Sequence, residues 1–476
     1  MALLRDWTFV EEATRIPALR DVVRDALIRA VFTRDDRVLP RNIIADLSRA
    51  PAVTVKVKDD GEVRKLVQVL NGSESSLNLG LGAEDYHYFR RGLGVGKDRD
   101  IGVVPRPRAL LTYDWLVPEP RGVQLDFSAY RGIDLADGAA RAVAQVGATW
   151  KDVYDAALTK RRLLPVVPTV PLDFALGDAI WGDAPLGSFL GEFGDHVQAL
   201  RTISAFGHRS RLGFEDVSVE GTGYDLVHGL LPLADEFVVP IEIAIRLGPK
   251  PPARKTLTYS YDDGPKAAAA LDKLARSGRT PAWVHVADGA AARALRPGLP
   301  AEAFTVQVSI GGPEAGIANR EKAMDAALAG FKGKAADVPN PFDGPSDEYR
   351  KAADRIGRSA FVGEVRLPAR LLGDFHGKLA AFGQAVTAPA GLFASLRASG
   401  TCSAFPSFET SKERHRLYDL SKGVADIAAR VPGTVFVSRI AHLWADDPDY
   451  RRRMDLLRRL KLEIDAPHVI QPFVVP

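Results

Sequence analysis

The chain has 476 residues, 46% of them hydrophobic, so it is long enough to build roughly two to four globular domains. Its 63 basic and 60 acidic residues leave a net charge of +3, a balance that argues against nucleic acid or an anionic membrane as the main partner. The single cysteine, Cys402, excludes an intramolecular disulfide, and without a signal peptide or an apolar run of membrane-spanning length we expect a cytoplasmic protein with no transmembrane segment.

Residues 1–50 are predicted to form a helical segment. Between Leu19 and Phe32 the apolar residues recur at spacings that place them in a single stripe on a helix. These residues are Val22, Val23, Leu27, Ile28 and Val31. A stripe of this kind needs another element to cover it.

A strand, a turn and a helix follow. Val53 to Val57 alternate in the manner of a strand, Asp59 to Gly61 make a turn, and Glu62 to Leu70 form a helix. The next strand spans Gly102 to Val104, after an insertion of residues 72–101. For an insertion of this length we expect a surface excursion or a partner-binding loop rather than a ligand loop.

The stretch from Val103 to Ile133 carries the most informative pattern in the chain. It reads VVPRPRALLTYDWLVPEPRGVQLDFSAYRGI. This pattern resembles the flavin-binding core of the FAD-linked oxidases, the family of the glycolate and D-lactate dehydrogenases, which reads P-R-G-G-G-T-S-L and then V-P-x-x-x-G-V-x-L-D-L-S. The residues in register are Pro105, Arg106, Val117, Pro118, Gly122, Val123, Leu125, Asp126 and Ser128.

The glycines of that loop are replaced in this chain by Pro107, Arg108 and Ala109. A glycine loop binds a diphosphate because several backbone N–H groups can approach the phosphate oxygens. Pro107 has no N–H to donate. We therefore expect that any flavin diphosphate binds in an altered mode, against Arg106, Arg108 and the flanking backbone.

The next two segments continue the resemblance. The strand AVAQVGA, the cap Thr149 and a helix from Trp150 to Leu158 resemble the family's V-x-x-G-x-T-W-x-x-L. Residues 168–183 match a second stretch that contacts the flavin in the family. Gly177 is kept there, whereas Asp178 replaces a glycine.

The sequence LGEFGDHV, residues 190–197, resembles the family's Y-G-x-x-x-D-x-V. It predicts a strand pair around Val197 to Ser204. Asp195 is most simply a structural turn residue, and His196 is a solvated or satisfied histidine rather than a catalytic one.

The sequence TGYDL, residues 222–226, is that of the glycolate and D-lactate dehydrogenase branch. The strand from Pro240 to Leu247 keeps Glu242 and Arg246 in register with the family. Between these two segments the family has a glycine-rich flavin contact, and Pro232 to Val238 contains no glycine. Three separate loops have thus lost some or all of the family's glycines, while the strands around them kept their pattern.

A linker is predicted at Gly248 to Pro252, where the family passes from its flavin domain to its cap domain. The predicted strands beyond it are Thr256 to Tyr261, Trp283 to Ala287, Phe304 to Ile310 and Ser359 to Leu367, with helices at Gly264 to Ala275 and Asn319 to Phe331. A loop is predicted from Val338 to Ser346. The alternation of sheet and helix indicates an α+β layer.

The resemblance therefore implies an α+β fold class with a two-lobed FAD-binding domain of the p-cresol methylhydroxylase (PCMH) or vanillyl-alcohol oxidase type. Residues 51–249 would form this domain and residues 250–476 the α+β cap domain, with the tail returning to the flavin domain. The final long helix and strand are matched by His415 to Phe436.

Two motifs of the family's active site are changed. Its H-V-G-D-G-N-x-H, whose imidazoles can hold a metal near the substrate carboxylate, corresponds to SGTCSAFP from Ser399 to Pro406, so no metal site is predicted. Its G-E-H-G-I-G corresponds to a stretch in which Ser438 and Arg439 replace the acid and the base. Arg439, as a carboxylate clamp, and His442, as a base in shifted register, are the remaining catalytic candidates.

The resemblance implies FAD as the cofactor. The positions assigned to it are Pro105, Arg106, Arg108, Thr112, Thr169, Gly177, Asp178, Gly182, Asp195, Gly223, Tyr224 and Glu242.

Two functions stay open at this point. The chain is an active FAD-dependent oxidase or dehydrogenase of a small 2-hydroxyacid or other carboxylate, or it is a catalytically degenerate subunit with protein partners in an oxidoreductase complex. The joint loss of the loops and the base favours the second.

Overall fold

The structure is a computed structural model of the chain. It describes residues 22–23, 53–71, 103–106, 123–135, 138, 140–168, 175–177, 186–189, 191–213, 226–230, 237–295, 304–329, 334–336, 359–361, 363–409, 416–437, 455–456 and 459–464.

A four-stranded sheet is formed by the first part of the described chain. Its strands are β1 (Val22–Val23), β2 (Val53–Lys56), β3 (Val103–Arg106) and β4 (Val123–Asp126), and helix α1 (Asp60–Asn71) follows β2. The order is β1-β2-β4-β3, with β2 and β3 both parallel to β4. The predicted strand–helix–strand unit is confirmed.

The helix predicted over Leu19 to Phe32 is wrong at Val22 and Val23. These residues form β1, antiparallel to β2, with Val22 opposite Val55. Short apolar runs fit either periodicity, and β-branched valines pack well in a strand that has a partner. The rest of residues 1–50, like the insertion at 72–101 and the loop predicted at 338–346, lies outside the described residues.

A five-stranded sheet of order β11-β10-β12-β6-β5 comes next, together with two short strand pairs, β7 with β13 and β8 with β9. The strands are β5 (Ile133–Leu135), β6 (Arg141–Gln145), β7 (Arg162–Leu163), β8 (Val167–Pro168), β9 (Leu186–Gly187), β10 (Val197–Ser204), β11 (Arg209–Gly213), β12 (Val238–Arg246) and β13 (Gly248–Pro249). The strand pair predicted around Val197 to Ser204 is confirmed.

Helices α2 (Trp150–Thr159), α3 (Phe193–His196) and α4 (Leu226–Leu230) belong to this part of the chain. A capping box begins α2 where it was predicted: Thr149 Oγ1 accepts the Asp152 N–H at 3.0 Å, and Asp152 Oδ2 accepts the Thr149 N–H at 3.0 Å.

The second half forms a nine-stranded sheet of order β17-β14-β16-β15-β20-β21-β19-β22, in which β18 also pairs with β21. Its strands are β14 (Ala253–Tyr261), β15 (Trp283–Ala287), β16 (Phe304–Gly312), β17 (Lys334–Ala336), β18 (Ser359–Phe361), β19 (Glu364–Pro368), β20 (Ala390–Leu396), β21 (Thr401–Glu409) and β22 (Val435–Val437). Its helices are α5 (Gly264–Arg276), α6 (Gly289–Leu295), α7 (Glu314–Leu328), α8 (Leu372–Ala385) and α9 (Arg416–Ala429), with a 3-10 turn at Ala369–Leu371.

The hydrophobic core lies between one face of this sheet and helices α5, α7, α8 and α9. Alternate residues of the central strands enter it, for example Val284 and Val286 of β15 and Val306 and Val308 of β16. The strands predicted at Thr256 to Tyr261, Trp283 to Ala287 and Phe304 to Ile310 and the helix predicted at Gly264 to Ala275 are confirmed. The strand predicted from Ser359 to Leu367 is instead two strands, β18 and β19, with Gly363 at φ +128° before the second, and the helix predicted from Asn319 begins earlier, at Glu314.

The chain passes from the five-stranded sheet to the nine-stranded sheet at the predicted linker. The last strand of the five-stranded sheet ends at Arg246, and the nine-stranded sheet begins at Ala253. Between them Gly248–Pro249 pairs with Arg162–Leu163, and the Lys250 N–H donates to the carbonyl of Arg161 at 2.9 Å. The segment is thus tied down by backbone hydrogen bonds.

Candidate functional site

The face of the nine-stranded sheet opposite the core carries a row of polar side chains. Residues directly opposite each other in antiparallel strands point to the same side of a sheet. Five successive pairs cross six strands in this way: Thr258 to Gln307, Gln307 to His285, His285 to Ser395, Ser395 to Ser403, and Ser403 to Arg366. We call these six residues the polar row.

The polar row is buried over most of its length. Gln307 and His285 are each 2% exposed, and Ser403 is fully buried. The Gln307 side-chain N–H donates to Thr258 Oγ1 at 3.3 Å. Burying polar groups is unfavourable unless they are hydrogen-bonded, so a row of this kind is unusual for a plain structural core.

Aromatic rings flank the imidazole of His285 on the same face. The Trp283 ring stacks on it with 4.7 Å between ring centroids and 24° between planes. The Phe393 ring lies 5.4 Å away on the neighbouring strand, and Phe405 follows 6.5 Å from Phe393. The face therefore combines flat apolar surfaces with hydrogen-bonding groups, as ligand sites commonly do.

Two further buried hydroxyls lie on this face. Ser309 is opposite Trp283 and Thr305 is opposite Ala287. Within the described part of the chain, neither Oγ atom has a hydrogen-bond partner. Leaving a buried hydroxyl unpaired costs about 1–3 kcal/mol of stability. Unpaired hydroxyls are therefore more typical of functional positions than of a core selected for stability alone.

One end of the polar row meets Glu192, which precedes α3. Ser403 Oγ donates to Glu192 Oε1 at 2.7 Å, and the Arg366 guanidinium donates to Oε2 at 3.2 Å. Arg397, which follows β20, also contacts Oε1. Residues far apart in the sequence thus join the two halves of the chain through one carboxylate.

The backbone around Glu192 fixes the position from which its side chain reaches Ser403, Arg366 and Arg397. Asp195 Oδ2 accepts the Glu192 N–H at 2.7 Å and holds the turn at the start of α3. Gly191 has φ +150°, and a Cβ there would lie 2.6 Å from Asp195 Oδ2. Only glycine suits that conformation and that contact. The structural role predicted for Asp195 is therefore seen in its hydrogen bond.

His196 differs from its prediction as a satisfied or solvated side chain. It is 8% exposed, and neither ring nitrogen has a hydrogen-bond partner among the described residues. Burial lowers the pKa of His196, and Asp195 opposes that shift whereas Arg246 adds to it. Burial thus disfavours the charged form of this imidazole, which ends α3.

The segments assigned to the flavin by resemblance come together around Gly147. The Leu176 N–H donates to the Ala148 carbonyl at 2.6 Å, and the Gly177 N–H donates to the Val146 carbonyl at 2.9 Å. A Cβ on Gly147 would lie 1.8 Å from the Phe127 carbonyl oxygen. The segments that carry the resemblance therefore lie in contact with each other. Gly147 is needed there because the backbone of Phe127 comes too close for a side chain.

The described residues assigned to FAD have these places. Pro105 and Arg106 end β3 opposite Leu125 and Asp126, while Glu242 Oε2 accepts from Arg201 at 2.6 Å. Asp195, Gly177 and Glu242 thus each form hydrogen bonds to protein groups. The other positions assigned to FAD lie outside the described residues: Arg108, Thr112, Thr169, Asp178, Gly182, Gly223 and Tyr224. The two catalytic candidates, Arg439 and His442, lie outside them as well.

Sequence reasoning missed the polar row and Glu192. A signal was present, because WVHVA, FTVQVSI and GLFASL each place a polar residue among apolar ones at the period of a strand. Pairing between strands that are distant in the chain brings these residues into one line, and periodicity alone does not reveal it.

Solved structures of three proteins resemble this fold over almost the entire chain. p-Cresol methylhydroxylase with bound substrate gives a TM-score of 0.71 at 14% identity, covering 97% of this chain and 95% of that one. The chain has the PCMH-type fold. The 4-ethylphenol oxidase from Gulosibacter chungangensis, in complex with isoeugenol, gives 0.68 at 11% identity, covering 98% and 96%.

An alkyldihydroxyacetonephosphate synthase gives a TM-score of 0.68 at 14% identity, covering 98% of this chain and 86% of that one. No protein-family model and no curated protein matches the sequence. At such identities the likeness establishes the PCMH-type fold and leaves the substrate open.

Two further observations concern the described residues alone. No group of three or more His, Cys, Asp or Glu side chains among them is placed to hold a metal ion. None of the helices they form has both the length and the apolar character needed to cross a membrane.

Proposed function

We propose that this chain is an FAD-linked oxidase-like subunit that serves the oxidation of a small 2-hydroxyacid, of the glycolate or D-lactate kind, and is catalytically degenerate by itself. The position of Ser399 to Pro406 carries the proposal. This segment turns from β20 into β21 and places Ser403 and Phe405 on the face of the polar row. The two histidines that the resemblance expects correspond to Ser399 and Pro406, a hydroxyl and a pyrrolidine ring, and neither accepts a proton at neutral pH.

Oxidation of a 2-hydroxyacid needs a base within hydrogen-bond reach of the hydroxyl and a cation near the carboxylate. Of the six residues in the polar row, His285 alone has a side chain that can accept a proton in the neutral pH range. The rings of Trp283 and Phe393 pack against it. Arg366, the cation of the row, already pairs with Glu192 and Glu364. These engagements favour a degenerate site.

FAD, when bound, would supply the hydride acceptor. Arg106 and Arg108 would hold its diphosphate through charge-assisted hydrogen bonds, since Pro107 has no N–H to give. Gly177 and Asp195 would keep the surrounding turns in place through their backbone contacts. We further propose that the chain works in the cytoplasm with protein partners of an oxidoreductase complex, for which residues 72–101 would supply contact surface.

A second candidate is an active FAD-dependent 2-hydroxyacid dehydrogenase with an altered phosphate loop. The observation in its favour is His285, a buried imidazole in the middle of the polar row. In this candidate His285 takes the proton of the substrate hydroxyl. His442 would be the other base to consider.

The test is to load the purified protein with FAD and follow its absorbance bands during anaerobic mixing with D-lactate or glycolate. We expect the flavin to be retained and to stay oxidised. Rapid bleaching that is lost in His285→Asn or His442→Asn, but not in the exposed His208→Asn, would establish the second candidate. Failure to retain flavin under any loading condition would overturn both.

A further inference from the structure

Three side chains of the nine-stranded sheet converge on one carboxylate. Glu192 Oε1 accepts from Ser403 Oγ at 2.7 Å and from Arg397, while Oε2 accepts from Arg366 Nη2 at 3.2 Å. Arg397 Nη2 also lies 3.3 Å from Ser403 Oγ. Both oxygens of the carboxylate therefore accept hydrogen bonds from side chains of different strands. Proteins recognise carboxylate ligands in the same way.

The charges in this cluster are balanced by Glu192. Arg366 Nε donates to Glu364 at 2.7 Å, so Glu364 neutralises one arginine from within its own strand. Arg397 has no such neighbour, and its Nε is buried without a partner among the described residues. Burial lowers the pKa of Arg397. A carboxylate is therefore needed beside it, and Glu192 provides one from the other half of the chain.

We propose that Arg366, Arg397 and Ser403 form a binding site for a small carboxylate, and that Glu192 fills this site as a built-in competitor. The Glu192 side chain is 24% exposed and that of Arg397 is 22% exposed, so solvent reaches the site. The inference rests on the proposed function for the ligand class, a 2-hydroxyacid carboxylate. Its geometry does not depend on flavin.

A tethered competitor has an effective concentration of about millimolar or more, so a free carboxylate of ordinary affinity does not displace it. We therefore expect no binding of glycolate or D-lactate at this site in the unaltered chain. Removing the Glu192 side chain beyond Cβ leaves space and two arginines, which creates a site for a free carboxylate. Replacing Glu192 by Gln removes the charge but keeps the space filled.

The experiment compares thermal unfolding of the full chain and of Glu192→Ala in acetate, glycolate or D-lactate, with chloride at equal ionic strength. We expect Glu192→Ala to lower Tm and each carboxylate to restore it saturably, whereas chloride does not. Glu192→Gln should be destabilised without being rescued. The double variant Glu192→Ala with Arg397→Ala should lose the rescue.

The matched control is Glu242→Ala, which removes the carboxylate from Arg201 on the five-stranded sheet. Its Tm should respond equally to carboxylates and chloride. Should Glu192→Ala not accumulate as folded protein, its refolding yield from urea in acetate against chloride gives the same comparison.

Equal responses of Glu192→Ala to carboxylate and chloride, or equal rescue of the Ala and Gln variants, would overturn the proposal. Neither readout uses flavin or turnover, so this outcome is separate from a failure of the proposed function.

Discussion

Asp195 accepts the backbone N–H of Glu192 at 2.7 Å and so fixes the residue whose side chain reaches across to the nine-stranded sheet. Gly191 makes this bond possible, because a side chain at that position would collide with the Asp195 carboxylate. The three residues act as one unit. Gly191 leaves room for the Asp195 carboxylate, and Asp195 holds the turn. Glu192 contacts Arg397 and Ser403.

Removing the acceptor at Asp195 should loosen this unit. We expect Asp195→Ala to lower the free energy of unfolding by about 1 kcal/mol, the usual loss at a helix start, and Asp195→Asn to lower it less because an oxygen acceptor remains. Urea denaturation measures both. Asp155→Ala, which removes an exposed partner of Lys151, should change stability by less than about 0.5 kcal/mol. Equal losses at positions 155 and 195 would contradict this role.

Two glycines of α8 should respond to alanine in opposite directions. A Cβ on Gly373 would lie 2.7 Å from the backbone nitrogen of Pro265, where α5 packs against α8, so Gly373→Ala should destabilise by about 1–3 kcal/mol. Gly377 has no atom within 4 Å of such a Cβ, so Gly377→Ala should stabilise by about 0.5–1 kcal/mol. Urea denaturation of the two variants distinguishes close helix packing from helix propensity, and stabilisation by both would show that α5 does not restrict Gly373.

Local patterns predicted most of the described elements, and tertiary pairing set the rest. The capping box at Thr149 and the alternation in WVHVA are local features, so α2 and β15 were predicted close to their bounds. The short run at Val22 and Val23 became a strand because β2 offers it a partner. The polar row was not predicted, since His285 meets Gln307 and Ser395 only through the register of three strands.

The cofactor residues followed from resemblance rather than from pattern. Asp195 and Glu242 were assigned to FAD from that resemblance, and in the structure their side chains bond to Glu192 and Arg201. A residue that matches a family motif is therefore not by that fact alone a ligand contact. A carboxylate at a matching position can instead hold a turn or form a surface ion pair.

Arg108 should contribute to flavin retention. In the proposed binding mode its guanidinium would take the place of the N–H groups that a glycine loop supplies, so Arg108→Ala should raise the Kd for FAD about tenfold or more, the effect of losing one charge-assisted hydrogen bond. Titration of the flavin fluorescence gives the Kd. Arg276→Ala, which removes the exposed partner of Asp272 on α5, is the matched control and should leave the Kd unchanged. Unchanged affinity in Arg108→Ala would remove this residue from the proposed site.

His196 should make the fold sensitive to mild acid. Burial lowers its pKa below the ordinary value of 6.5, so the folded chain keeps the imidazole neutral while the unfolded chain takes up a proton as pH falls below that value. The unfolded state then binds more protons. The contribution of His196 to stability is therefore fully present above the unfolded pKa and is lost as pH falls towards the folded one.

His196→Leu removes the titrating group while keeping the site apolar. Between about pH 8 and about pH 5.5, the free energy of unfolding should fall less in this variant than in the unaltered chain. Urea denaturation at the two pH values gives both differences. His208→Gln serves as the control because His208 is exposed, and this variant should lose as much stability in acid as the unaltered chain. If His196→Leu lost as much as well, the acid sensitivity would come from other groups and the buried imidazole would be charged in the fold.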